Sequence, residues 1–142
     1  MLPVLGPRPS SCYMPHPNEV LIRKGFEAFM RGDPEPMRAA SDPEMVWHVS
    51  GRGPLSGDLK GFDAVLGWGM QLVERSGGTW KEELLEVAAN DDSAFMRTTY
   101  CATRGGRSIE DQSVNVFRVR GGKFVECWVY FGKQDEFDTF WT

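Results

Sequence analysis

The 142-residue sequence is poor in histidine, in cysteine and in long apolar runs. It has two histidines, His16 and His48. With one of them in the proline-rich start of the chain and a single histidine left in the rest, no metal site and no cofactor are expected. Cys12, Cys101 and Cys127 are odd in number and stand at no metal-ligand spacing. That pattern fits reduced thiols in a cytoplasm better than a disulfide framework. No apolar run approaches the roughly 20 residues that span a bilayer. A basic excess is missing as well: 16 Lys+Arg against 20 Asp+Glu give a formal net charge of −4. Nucleic-acid binding needs a dense basic face to displace counterions, so neither membrane nor nucleic acid is an expected partner. The opening stretch MLPVLGPRPSSCYMPHP lacks a basic n-region and a long apolar h-region, and does not read as a secretory signal. Phosphate loop, dinucleotide fingerprint, nucleophile elbow and zinc motif are all absent. What is plentiful is aromatic: five Trp, nine Phe and three Tyr. Composition alone does not say whether they fill a core or line a pocket.

A chain of this length predicts one domain, here with a tail. Five of the nine prolines fall within the first 17 residues. Proline removes donors and fixes φ, so residues 1–17 read as an arm and the domain as 18–142. Asn18 is placed to cap a first helix, in which Ile22, Phe26, Phe29 and Met30 recur at helical spacing and Gly32 ends the pattern. Asp33-Pro34 starts a short second helix. Met45 to Ser50 reads as a strand, with Val46, His48 and Ser50 on one face and Trp47 and Val49 on the other. Residues 61–75 are helical in pattern and stop at Gly77-Gly78. Four β-prone runs follow, about 79–90, 93–104, 107–120 and 123–132. They are separated by Asp91-Asp92, Gly105-Gly106 and Gly121-Gly122, the signals of an antiparallel meander. A helix over Lys133 to Trp141 comes last. Helices first and a curved antiparallel sheet afterwards make an α+β domain, a bent sheet wrapped around helices with room for a ligand between them.

This order of elements carries several telling strings. They are Arg31-Gly32-Asp33, Val46-Trp47-His48-Val49-Ser50-Gly51, Gly61-Phe62-Asp63-Ala64-Val65, the run from Phe117 through Gly121-Gly122-Lys123, and Phe137-Asp138-Thr139-Phe140-Trp141. Together they resemble the nuclear transport factor 2-like superfamily over about residues 18–142. The nearest branch is that of the SnoaL-like polyketide cyclases and ketosteroid isomerase-related proteins. The resemblance implies a cone-shaped sheet and is weakly specific for activity, since one fold hosts many chemistries. Against the isomerases, His48 falls where they carry the general-base aspartate. Gly25 falls at their oxyanion tyrosine and Asn115 at their second oxyanion acid. The missing tyrosine argues against steroid isomerisation and leaves a pocket expected.

The candidate catalytic residues are His48, Asn115, Tyr100 and Asp111. An inward His48 would be an acid–base group, because imidazole titrates near neutral pH; the alternative is a structural histidine at the edge of the core. Asn115 shares a strand face with Ser113, Asp111 and Phe117, and its amide could donate to an oxygen that gains charge or bond internally. Tyr100 could replace the lost tyrosine or simply pack, and Asp111 is either a rim carboxylate or a solvated turn residue. The candidate pocket wall is Phe29, Trp68, Met96, Thr98, Ser113, Phe117, Cys127, Val129 and Phe131, with Val125 on the same apolar face. Arg52, in the Gly-rich loop, could meet an acidic ligand group at the cone mouth. Trp128 and Tyr130 then face outward, where a second subunit is the expected cover. Three functions are compatible with this reading. One is a cofactor-free isomerase or cyclase acting on an apolar polyketide-like molecule. Another is an epoxide-opening enzyme of the limonene epoxide hydrolase type, which wants an inward Asp–Arg–Asp set. The third is a non-catalytic binding or dimerisation module.

Overall fold

The structure, a computed structural model, describes residues 14–142. Helix α1 runs over Pro17–Met30 and starts earlier than Asn18. His16 is its N-cap, with Nδ1 accepting the Asn18 N–H at 3.1 Å, and Pro17 occupies a first-turn position where no N–H is needed. Asn18 instead donates its amide to the Asn90 carbonyl at 2.9 Å, and His16 Nε2 lies 2.7 Å from Asp91. The start of α1 is thus tied to a sheet turn, and His16 and Pro17 belong with the domain. The rest of the expected arm, with Cys12 and Tyr13, lies outside the described residues. Gly32, at φ +85°, takes the left-handed turn after α1 that a side chain would strain.

The remaining elements are α2 (Glu35–Ala40), β1 (Ser41–Val49), β2 (Gly57–Lys60), α3 (Phe62–Arg75), β3 (Lys81–Ala89), β4 (Ser93–Arg104), β5 (Arg107–Arg120), β6 (Lys123–Phe131) and α4 (Gln134–Phe140). The six strands form one sheet in the order β2-β1-β6-β5-β4-β3. The predicted meander is there: β3 to β6 pair antiparallel in sequence order. Its two tightest turns, Gly105-Gly106 and Gly121-Gly122, have positive φ at both glycines, which matches the right-handed strand twist. One feature departs from the expected antiparallel sheet. β1 pairs with β6 in parallel, so the sheet is mixed.

Irregularities in register bend the sheet. β3 slips between Leu84 and Glu86, and β5 slips against β6 between Arg118 and Val119. Each extra residue flips the alternation of faces beyond it. Before the β3 bulge Glu82 and Leu84 face the helices, and after it Val87 and Ala89 do. The extra residue of β6, Val125, seats Phe124 in the core and leaves the inner row itself, correcting its expected place there. Cross-strand rows line the concave face. Glu82, Tyr100 and Asp111 form one, Leu84, Thr98, Ser113 and Phe131 the next, and Val87, Met96, Asn115 and Val129 a third.

The helices fill the concavity. α1 packs on β3 and β4, α3 on β1 and β2, and α4 on the far end of β5 and β6. Ile22, Phe26, Phe62, Val65 and Leu72 meet Trp47, Met96, Phe117 and Val129 in the core. Gly25 lets α1 and α2 close, since a Cβ there would lie 2.8 Å from Met37 Cε. A larger side chain at that position would have to displace the end of the Met37 side chain. Among the described residues no helix is long and apolar enough to cross a membrane.

The loop after β1 is strapped to α4 by one carboxylate. Asp138 accepts the Arg52 N–H at 2.8 Å, the Gln134 amide at 2.9 Å and the Ser56 hydroxyl at 3.4 Å. Gly53 passes so close that a Cβ would sit 2.7 Å from the Asp138 Cα. The listener on the other side of that clash is backbone, which does not rotate away. Gly53→Ala is therefore expected to cost about 1–3 kcal/mol by overpacking. A thermal melt should show a lower midpoint, with an unchanged midpoint contradicting the close approach.

Candidate functional site

Between α1, α3 and the concave face of the sheet lies a cavity of about 110 Å³. Its helix side is made by Phe26, Phe29, Met37, Phe62, Trp68 and Leu72, and its sheet side by Trp47, Trp80, Met96, Val129 and Phe131. Three polar side chains join this wall: Glu82, Ser113 and Asn115. Helical spacing in α1 and α3 supplies the aromatic half, and strand alternation supplies the rest. The Trp68 indole N–H donates to the Leu55 carbonyl at 2.8 Å, which fixes the ring as a wall.

Glu82 is the chemically decisive member, and it was not among the sequence candidates. Thr98 Oγ1 donates to its Oε1 at 2.9 Å and is itself 2.8 Å from Ser113 Oγ. A hydroxyl has one proton, so when Thr98 gives its proton to the carboxylate, Ser113 must donate to Thr98. Burial in an apolar wall pushes the Glu82 carboxyl above the usual carboxylate range, and hydrogen bonds from Thr98 and Trp80 pull it partly back. The β3 bulge hides Glu82 from alternation. Counting back from the Asn90 turn without a bulge pairs Glu83 with Tyr100, whereas the structure pairs Glu82 with it. The sequence carries no signal for it, because neither glycine nor proline marks the bulge at Leu85.

The sequence candidates divide by position. Phe29, Trp68, Met96, Ser113, Asn115, Val129 and Phe131 line the cavity. Asn115 has one described hydrogen bond, a 3.8 Å contact from Nδ2 to Cys127 Sγ, which is a weak partner for a buried amide. Thr98, Phe117 and Cys127 do not line it. Thr98 lies behind Glu82 and Ser113, and Phe117 packs edge-on against Trp47 at 5.8 Å. Cys127 is fully buried, and burial pushes its thiol well above the ordinary value.

Tyr100 and Asp111 face inward but bind each other. The phenol donates to Asp111 Oδ2 at 2.8 Å, and that same oxygen accepts the Lys133 N–H at 2.8 Å. The Tyr100 ring stacks on Trp80 at 4.8 Å. Burial and the adjacent Asp111 carboxylate push the phenol far up, so it stays protonated. The pair latches the start of α4 to the sheet and offers nothing to the cavity, which corrects the expected oxyanion role of Tyr100 and the rim role of Asp111. Arg52 stays in its loop, away from the cavity wall, and is engaged through its backbone.

His48 is on the opposite side of the sheet. Trp47 and Val49 take the inner positions of β1, so alternation turns His48 outward. There it stacks on Trp128 at 5.5 Å, with Nδ1 2.8 Å from Asp58 and Nε2 2.6 Å from Glu126. Arg118 lies over the Trp128 ring and 3.6 Å from Glu126. The acid–base role expected of His48 is therefore overturned by its face: it cannot touch a molecule in the cavity. Among the described residues no aspartate or arginine lines the cavity, so an Asp–Arg–Asp set for epoxide opening has no counterpart. Nor do three or more His, Cys, Asp or Glu side chains converge among them as metal ligands would.

Comparison with known proteins agrees with this architecture. The sequence profile of the SnoaL-like domain matches residues 22–127. Uncharacterized proteins of Mycobacterium tuberculosis and Mycobacterium bovis are 25% identical over 122 residues, covering 85% of this chain and 93% of theirs. Among solved structures, Bal32a from a soil-derived mobile gene cassette superposes with a TM-score of 0.81 at 29% identity, over 89% of this chain and 97% of that one. TerC co-crystallized with polyporic acid gives 0.74 at 18% identity, over 89% and 98% of the two chains. A SnoaL-like polyketide cyclase assigned in a Jannaschia species gives 0.69 at 10% identity, over 89% and 92%. The last two likenesses speak for the fold alone.

The carboxylates around His48 set a pH dependence. Hydrogen bonds to Asp58 and then to Glu126 push its pKa up, against partial burial. A pKa raised on folding adds stability that is complete below the unfolded value, near 6.5, and is lost as pH rises through the folded value. Denaturant titrations of the wild type and His48→Gln at pH values from about 5.5 to 8.5 should therefore show a stability gap that narrows as pH rises. A gap independent of pH would contradict the ion-pair assignment.

Proposed function

The chain belongs to the SnoaL-like domain family, and from that premise we propose that it is a cofactor-independent enzyme that moves a proton on a compact, oxygenated, largely apolar molecule. The observation that carries the proposal is the placement of Glu82, the one ionisable side chain described in a cavity wall that is apolar but for Ser113 and Asn115. A carboxyl raised toward the working pH is suited to both taking and returning a proton. In this reading the Glu82 carboxylate removes a proton from carbon next to a substrate carbonyl. The C–H electron pair moves into the carbon–carbon bond, and the carbonyl oxygen gains charge. The Asn115 amide, weakly engaged with Cys127, is the donor within the wall that favours this oxygen, and once Glu82 is protonated Thr98 can donate to Ser113, which frees the Ser113 hydroxyl to join it. Protonated Glu82 then returns its proton to another carbon, giving an isomer. In a cyclisation, the enolate carbon instead bonds to a second carbonyl carbon of the same molecule, and Glu82 protonates the resulting alkoxide. The aromatic walls contribute by holding the substrate in a reactive conformer.

The test is exchange of the α-protons of cyclohexanone for deuterium in D2O, followed by proton NMR. Wild-type protein is expected to accelerate exchange, and Glu82→Gln to lose about 10²–10⁴ of that acceleration. The pH–rate profile should rise through a carboxyl pKa above the ordinary range. Thr98→Val removes a hydrogen bond that favours the ionised form, so the inflection should move to higher pH. Exchange in Glu82→Gln equal to that of wild type would exclude the base role.

A second copy of the chain is the proposed partner, covering the outer sheet face. Supporting it, Tyr130 and Phe95 are 50% and 42% exposed there, and Trp128 and Val116 pair across the same face. Sedimentation equilibrium should give a dimer for wild type and a weaker dimer for Tyr130→Asp; a wild-type monomer would exclude this partner.

A further inference from the structure

The cavity is small. At about 110 Å³ it is of the same order as the roughly 150 Å³ apolar void that accommodates benzene, and so has room for about one small ring and no more. It is not isolated. A groove on the surface between the end of α1 and α3 is lined by Phe29, Pro34, Leu66, Gly69, Met70 and Val73, with Glu74 at its rim. Phe29, Gly69 and Val73 belong to both walls. The groove therefore adjoins the cavity, and the Phe29 ring stands at the border between the two.

Two further features mark this junction. Gly69 sits in the middle of α3, where glycine costs about 1 kcal/mol relative to alanine. A Cβ there would lie 3.1 Å from Phe29 Cζ, so the bare helix backbone is what the ring rests on. The rim is also apolar where water meets it: Met70 is 62% and Val73 47% exposed, and Met30, which lines the cavity, is exposed as well. A helix surface facing only water has no need of these side chains.

We infer that the groove is a subsite for the linear apolar tail of the substrate, whose compact oxygenated head occupies the cavity, with the tail passing over Phe29 and Val73, which line both. This rests on the proposed use of the cavity and extends it to a substrate class: a small oxygenated ring or carbonyl head bearing an unbranched alkyl or polyene chain. Gly69 is the specificity-determining position, because any side chain there presses Phe29 across the passage. Exposed apolar side chains at the rim then shed water only when a tail lies against them.

The experiment is isothermal titration calorimetry with phenol, 4-ethylphenol, 4-butylphenol and 4-hexylphenol. A methylene moved from water to an apolar surface contributes about 0.8 kcal/mol, or roughly fourfold in affinity. Wild-type Kd should therefore fall by roughly threefold to fourfold per added methylene once the tail reaches the groove. Gly69→Leu, which closes the passage, and Met70→Glu, which charges the exposed floor, should flatten that dependence. Met70→Glu should still bind phenol as wild type does. Phenol binding with no gain from longer tails in wild type would overturn the subsite and leave the cavity reading standing. A dependence that persists in both variants would overturn it too, as would tail affinity that rises with protein concentration, which assigns the groove to a second copy. Failure of phenol itself to bind would overturn the cavity reading and the subsite together. Loss of the base role in the exchange assay leaves the tail-length series as an independent measure.

Discussion

The Thr98 hydroxyl is the point on which the concave face turns. It sits on β4 between Glu82 of β3 and Ser113 of β5, bonded to both. One proton and two lone pairs are enough to satisfy a buried carboxyl and a buried hydroxyl at once, and an unsatisfied member would cost about 1–3 kcal/mol or more. The chain of bonds is also reversible. With Glu82 ionised, protons point toward it from Ser113 through Thr98. With Glu82 protonated, the same atoms can point the other way. A polar wall that accommodates both states of an acid is what proton transfer in a dry cavity requires.

Much of the fold was legible because punctuation and alternation agree in the second half of the chain. Glycine pairs at 105–106 and 121–122 and the Asx turn at Asn90 set strand lengths almost residue by residue. Asn115, Ser113 and Met96 share their face with neighbours whose burial confirms the alternation. The difficulties arise where alternation is interrupted or undecided. The β3 run Lys81–Ala89 carries no clean period, and its bulge moves Glu82 rather than Glu83 to the inner side. The extra residue in β6 likewise brings Phe124 rather than Val125 to the inner side. In β1 the two faces, Val46-His48-Ser50 and Trp47-Val49, are both plausible linings by composition. Burial of the larger indole decides for Trp47, and His48 goes to water.

The aromatic stock that composition could not apportion now has three distinct uses. Trp47, Trp68, Trp80, Phe26, Phe29, Phe62 and Phe131 surround the cavity. Phe137, Phe140 and Trp141 close the far end of the core, with Phe131 and Phe137 stacked at 3.6 Å between ring centroids. Trp128 carries the ion-paired His48 on the outer surface. The two polar clusters are thereby kept on opposite sides of one sheet. His48 with its carboxylates titrates in contact with water, and Glu82 titrates in contact with whatever fills the cavity.

The parallel joint between β1 and β6 bears on how the chain reaches this state. Every other strand pair joins neighbours along the chain, whereas β1 must wait for a partner about eighty residues later. Closing so long a loop costs entropy before any contact repays it, and such pairings slow folding. Contact order therefore favours the β3 to β6 hairpins, closed by short turns, ahead of the β1–β6 pairing. On that order the cavity is completed only when the two halves meet, and its walls come from segments far apart in the chain.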